Sequence, residues 1–202
     1  MVFNMNIYRC KEDSELNIRE PQVIFPGTFN PYHKGHQAIA NHADVYTGKH
    51  TLLEHSIDRV GKNNTIENDI FSSLSDYFEI HNRTLIVTNA KFFWQKAQLF
   101  PGSTFVVGVD TFKRIIDHKL IMDEGVPEDS AKRVVEYNLK RVRDCNCDFL
   151  VYPRYVKGVL KTMPHYDDGL HDLSNFTDMS HRLIEPKFMP VDISSTELRN
   201  LV

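Results

Sequence analysis

Five short stretches of the chain are dense in aliphatic and aromatic residues: Gln22–Phe25, Thr51–Ser56, Thr84–Thr88, Thr104–Val109 and Phe149–Tyr152. In each the apolar residues run almost continuously, without the alternation of a half-exposed strand. That is the pattern of strands covered on both faces, as in a parallel sheet. Helical spacing falls between them. Ile66, Ile70, Leu74, Tyr77 and Phe78 form one stripe; Ala131, Val135, Leu139 and Val142 form another, with Lys132, Arg133, Lys140 and Arg141 predicted to face water. Strand–helix–strand alternation predicts an α/β fold, a doubly wound parallel sheet with right-handed crossovers and helices on both sides. Residues 1–20 are polar and irregular and read as an N-terminal extension to a domain spanning 21–202. No internal repeat, low-complexity tract or Gly/Ser linker divides that span, so a single domain is expected. The stretch Arg154–Pro186 is the least periodic, rich in Pro, His, Asp and Ser, and is expected to cover a site.

Composition narrows the function classes. The chain has 202 residues, enough for one domain with a substantial core, and 24 basic against 27 acidic side chains, a formal charge of −3. That balance argues against a nucleic-acid partner, because phosphate-backbone binders carry a basic excess. No apolar run is long enough to cross a bilayer, so no membrane partner is expected. The amino end shows no basic region followed by an apolar one, and three cysteines make no disulfide framework. These features predict a soluble cytoplasmic or nuclear protein, and they leave a homo-oligomer open.

The most informative string is Phe25-Pro26-Gly27-Thr28-Phe29-Asn30-Pro31-Tyr32-His33-Lys34-Gly35-His36, between the first strand and the first helix. Open parallel sheets bind ligands at that place. Gly27 permits a sharp turn that can bring backbone N–H groups close to an anion, and Gly35 leaves room for a phosphate. His33 and His36, three residues apart at a helix start, put their rings on one face. Two imidazoles at a helix N-terminus can stabilise charge building on a phosphoryl group. A bare HxxH pair is usually incidental; the full string is more specific.

A second string, Ile193-Ser194-Ser195-Thr196-Glu197-Leu198-Arg199, stands near the carboxyl end. Ser194 with Glu197 fits a capping box. Ser195, Thr196 and Arg199 are not accounted for by capping, and hydroxyls, helix amides and a guanidinium together suit a phosphate.

The first string resembles the GxFxPxHxGH motif of the nucleotidylyltransferase superfamily, and the second its ISSTxxR motif. The resemblance implies a Rossmann-like sheet and transfer of a nucleoside monophosphate from ATP or CTP onto a phosphate. It places Gly27, Thr28, Phe29, Gly35, His36, Ser194, Ser195, Thr196 and Arg199 along the nucleotide, with His33, His36 and Arg199 as catalytic residues. Glu54-His55-Ser56 and the loop to Lys62 resemble a stretch of the nicotinamide mononucleotide adenylyltransferase-like subgroup, though His55 and the residue after Lys62 depart from it. Lys62 would be a mobile catalytic cation, or else an exposed loop lysine. Val87-Thr88-Asn89-Ala90 through Lys96-Ala97 to Gly108 resembles the same subgroup more closely.

The acceptor or ribose is accordingly expected at Gly108, Asp110, Thr88, Asn89 and Trp94. From the residues alone Asp110 equally suits a helix cap, and Trp94 a core position. The expected reaction is attack of a mononucleotide phosphate on the α-phosphorus of ATP, giving NAD and pyrophosphate if the acceptor is nicotinamide mononucleotide. Mg²⁺ is expected to travel with the triphosphate, and no protein metal site is expected. His165, His171 and His181 beside Asp167 and Asp168 match no zinc pattern and read as a solvated loop. Nicotinate mononucleotide, phosphopantetheine and a CTP-dependent acceptor are alternatives, as is a catalytically silent nucleotide-binding module. A class I aminoacyl-tRNA synthetase is disfavoured, because the chain has no KMSKS-like loop and no basic surplus.

Overall fold

The computed structural model describes residues 5–8, 17–29, 32–57, 83–122, 125, 127–156, 159–161 and 182–183. In chain order these form β1 (Met5–Tyr8), β2 (Val23–Pro26), α1 (Lys34–Thr47), β3 (Thr51–Ser56), β4 (Leu85–Thr88) and α2 (Phe93–Leu99). They continue as β5 (Thr104–Gly108), α3 (Val109–Ile116), α4 (Lys119–Met122), α5 (Glu128–Asp144), β6 (Asp148–Tyr152), β7 (Arg154–Val156), β8 (Val159–Lys161) and β9 (Arg182–Leu183).

Five strands, β4-β3-β2-β5-β6, lie parallel in that order. Val23 at the start of β2 stands opposite Thr51 on one side and Thr104 on the other. The sheet is the α/β arrangement that the continuous apolar runs predict, and each of the five strands lies within one residue of its expected bounds. Their side chains divide between two cores. Ile24, Leu52, Ile86, Phe105, Val107, Phe149 and Val151 pack with α2, α3 and α5 through Ala97, Phe112, Ile116, Val135 and Leu139. Val23, Phe25, Leu53, Leu85, Val87, Val106 and Leu150 pack against Ala40 and Ala43 of α1. Helices therefore cover both faces, and alternate residues along each strand serve opposite layers. In α5 the predicted stripe of Ala131, Val135, Leu139 and Val142 is the buried one.

Three expectations need correction. Residues 1–20 are not wholly irregular: Met5–Tyr8 adds an antiparallel edge strand to β4, with Met5 opposite Thr88. The stretch after Tyr152 is not simply a loop: β7 and β8 form a two-stranded antiparallel ribbon, and β9 extends the main sheet beside β6. Arg141 does not simply face water; its guanidinium lies 3.3 Å over the Trp94 ring, joining α5 to α2. The predicted stripe Ile66–Phe78 lies outside the described residues.

Candidate functional site

Along the sheet, β3 and β4 lie to one side of β2 and β5 and β6 to the other. The chain leaves β2 toward α1, on one face, while α3, which follows β5, packs on the opposite face. The crevice outside the carboxyl ends of β2 and β5 is therefore the topological switch point, where such sheets take their ligands. Gly27, Thr28 and Phe29 leave β2 at this crevice, and Gly108, Val109 and Asp110 leave β5 beside it.

The local backbone is shaped around His36. Phe29 takes a left-handed conformation, φ +46°, that a bulky side chain rarely adopts. The strain is held by packing: its buried ring meets Phe25 edge-on at 5.5 Å, Tyr32 at 5.7 Å and His36 edge-on at 5.2 Å. A Cβ on Gly27 would sit 2.6 Å from that ring, so Gly27 is required by Phe29 itself. The amide of Gly27 donates to the carbonyl of Glu54 at 2.9 Å. It continues the β2–β3 ladder.

His33 is the N-cap of α1, and it forms a reciprocal capping box with His36. The Gly35 N–H donates to His33 Nδ1 at 3.1 Å, and the His33 N–H donates to His36 Nδ1 at 3.3 Å. With Nδ1 accepting in each ring, a neutral imidazole carries its proton on Nε2. The two rings stack with centroids 3.8 Å apart, on one face as the spacing predicts. Phe25, Phe29 and Tyr32 surround the His36 ring as well. Burial, reinforced by the neighbouring His33, lowers the pKa of His36 to about 3. At neutral pH it is an uncharged ring with its N–H at Nε2.

Gly108 supports the other wall. Its φ is −74°, which any residue adopts, and among the described residues a Cβ there would meet nothing within 4 Å. Gly108, not Asp110, is the N-cap of α3, so the capping role weighed for Asp110 is corrected. The Asp110 carboxylate instead accepts a hydrogen bond from Arg154 Nη1 at 2.5 Å, in a half-exposed ion pair between the ends of β5 and β6.

The remaining candidates separate. Thr88 is buried, and its hydroxyl donates to Glu54 and accepts from the Ala90 N–H, so it is an internal residue. Trp94 packs against the core with Arg141 on one face of its ring. Asn89 is half-buried at the end of β4. By strand order Asn89 and Asp110 stand on opposite sides of β2, separated by about 14 Å at the usual strand spacing, so one flat ring does not reach both. Lys62, Ser194, Ser195, Thr196 and Arg199 lie outside the described residues.

Two features were missed. Arg154 carried a faint signal, a basic residue two positions past the end of a predicted strand. Glu54 carried a plain one: a carboxylate inside an apolar strand demands a buried cation, and that cation is Lys96, 2.7 Å away. Among the described residues no group of three or more His, Cys, Asp or Glu side chains could hold a metal ion, and no helix is long and apolar enough to cross a membrane. No family model matches the chain, and no curated protein matches it.

Proposed function

We propose that the chain is a nucleotidylyltransferase of the nicotinamide mononucleotide adenylyltransferase-like kind, transferring AMP from ATP to a mononucleotide. The observation that carries this reading is the stacked His33–His36 pair, set at the N-terminus of α1 beside the switch-point crevice. The superfamily resemblance and the place of Gly108 at the end of β5 beside that crevice support it. In this reading an oxygen of the acceptor phosphate attacks the α-phosphorus of ATP in line. A new P–O bond forms as the bond to the bridging oxygen of the β-phosphate breaks, and pyrophosphate leaves with the electron pair. No covalent enzyme intermediate is required, because the nucleophile is already an anion.

The protein's part is positioning and charge stabilisation. His36, neutral and fixed by its cap and its ring contacts, supplies a preorganised Nε2–H donor. His33, stacked upon it, supplies a second. As preorganised donors they need no reorganisation as charge moves onto the leaving oxygens. Mg²⁺ would come with the triphosphate. Glu54 is enclosed with Lys96 and Asp110 is paired with Arg154, so neither carboxylate is offered to a cation.

The test is pyrophosphate release with Mg²⁺ and ATP or CTP against nicotinamide mononucleotide, nicotinate mononucleotide, phosphopantetheine and glycerol 3-phosphate. Turnover with ATP and nicotinamide mononucleotide is expected. Turnover with another pair would reassign the substrate, and silence across the panel would overturn the enzyme reading.

A further inference from the structure

Tyr32 stands directly before the N-cap of α1, where a hydrophobic residue commonly staples the entering chain to the first turn of a helix. Any compact apolar side chain serves as such a staple. Tyr32 does something more specific. It is 3% exposed, and its ring lies 29° from parallel to that of His36, with centroids 5.4 Å apart. The His33 ring is 25° from parallel to the same imidazole, at 3.8 Å. Phe29 at 5.2 Å and Phe25 at 6.0 Å meet it edge-on. Four aromatic rings thus pack on one histidine.

The capping bond is a weak restraint on that ring. From the His33 N–H to His36 Nδ1 it spans 3.3 Å, longer than the about 3 Å of a well-formed bond. Turning the imidazole over would put a carbon in the place of Nδ1 and carry the N–H donor to a different point, so its orientation decides its chemistry. Packing has to fix it. A flat neighbour resists rotation of a flat ring in a way that a rounded aliphatic one does not. Of the four rings, Phe25 and Phe29 approach at steep angles, and His33 is only half-buried. Tyr32 alone is both near-parallel to His36 and buried.

We propose that Tyr32 is a positioning residue whose ring, stacked on His36, fixes the orientation of the imidazole and with it the place of the Nε2–H. This rests on the adenylyltransferase reading, in which that N–H stabilises charge on the transferring phosphate. The apolar bulk of Tyr32 staples the helix, and its flatness sets the donor. The role belongs to the ring and not to the hydroxyl.

Two substitutions separate this from a purely structural role: Tyr32→Phe keeps the ring, and Tyr32→Leu keeps an apolar staple without it. Steady-state pyrophosphate release uses Mg²⁺, ATP and nicotinamide mononucleotide, or whichever panel acceptor the wild type turns over. Tyr32→Leu is expected to lower kcat by about tenfold or more with both KM values within about twofold, and Tyr32→Phe to keep kcat within about twofold. In the His36→Asn background, Tyr32→Leu should change kcat by less than about twofold, because the ring acts through His36. Heteronuclear NMR of the imidazoles at neutral pH gives a readout besides turnover. His36 should hold the single Nε2–H tautomer in wild type and Tyr32→Phe, and average between tautomers in Tyr32→Leu. Should a thermal melt show Tyr32→Leu unfolded, Tyr32→Met, apolar and without a flat face, is read in its place. If the aliphatic variant keeps the wild-type kcat and tautomer, or lowers kcat as much without His36, Tyr32 is a staple only, and the inference falls while the adenylyltransferase reading stands. If the wild type turns over no acceptor of the panel, that reading has failed and the inference falls with it.

Discussion

Strands β3 and β4 are tied by a buried ion pair at each end, and the two pairs are built differently. At the amino ends, Arg83 reaches Asp44 of α1 at 2.9 Å, Asn41 at 2.5 Å and the Thr51 carbonyl at 3.1 Å, while the Thr51 N–H donates to Asp44 at 2.6 Å. Asp44 keeps 27% of its side chain exposed. This pair fastens the last turns of α1 to the start of the next strand, and water shares in solvating it. At the carboxyl ends, Lys96 and Glu54 are closed off from water and hold only a turn. An ion pair thus closes a structural joint at the end of a parallel sheet opposite the one where such sheets take ligands, and another fixes a turn at the end where they do. Buried charge is interpretable only together with what it restrains.

The largest expected effect breaks the enclosed pair alone. Lys96→Met leaves the Glu54 carboxylate buried without its cation, and urea unfolding should show a loss of about 3–5 kcal/mol. Adding Glu54→Gln should recover most of that. A double variant as unstable as the single would mean that packing at position 96, not charge, sets the cost.

A further buried titratable group, outside both pairs, is His36. Its pKa falls from an ordinary 6.5 to about 3 on folding, so between those values the unfolded chain binds a proton that the native chain does not. The stability contributed by the neutral ring is complete above pH 6.5 and is lost as pH falls toward 3. The loss runs at about 1.4 kcal/mol per pH unit, about 3 kcal/mol by pH 4. Urea midpoints from pH 7 to 4 should fall less steeply in His36→Leu than in wild type; parallel slopes would place the acid sensitivity elsewhere.

Arg83→Met should cost less than the enclosed pair, about 2 kcal/mol, because Asp44 retains the Thr51 N–H and some water. On the proposed adenylyltransferase reading, the KM values of the folded variant should not move. A KM change there would contradict the separation of the two ends. Smallest of all, Arg141→Gln removes the guanidinium from Trp94 and should cost under about 1 kcal/mol. Trp94 is the only tryptophan in the chain, so its emission reports the change directly; an unaltered spectrum would mean that the stacking is absent in solution.

These contrasts mark what a sequence can carry. The five parallel strands were legible because strands covered on both faces are apolar throughout, as in Thr51-Leu52-Leu53 or Phe105-Val106-Val107. The His33–His36 stacking was legible because three-residue spacing at a helix start is a local property. Strand β1 was not, since Met5-Asn6-Ile7-Tyr8 is short and mixed, and only β4 makes it a strand. The start of α3 was misplaced because Val109 is apolar enough to prolong a strand, while the turn to helix is set one residue earlier, at Gly108. Arg141 looked solvated because its partner, Trp94, lies on another helix. The enclosed ion pair was half legible: Glu54 announced a missing cation, but 42 residues separate it from Lys96, and no periodicity connects them. The left-handed Phe29 was invisible, because its reason is a ring packed against Gly27 and His36 and not a turn residue.

The central claim is that a neutral His36, held as an Nε2–H donor at the switch point, stabilises phosphoryl transfer. The direct measurement is pyrophosphate release by His36→Asn with Mg²⁺, ATP and nicotinamide mononucleotide, alongside a thermal melt. Asparagine can still accept the His33 N–H and preserve the cap, while removing the ring donor. The expected result is turnover lower by about a hundredfold or more in a protein that still folds. Turnover within a few-fold of wild type would contradict the account.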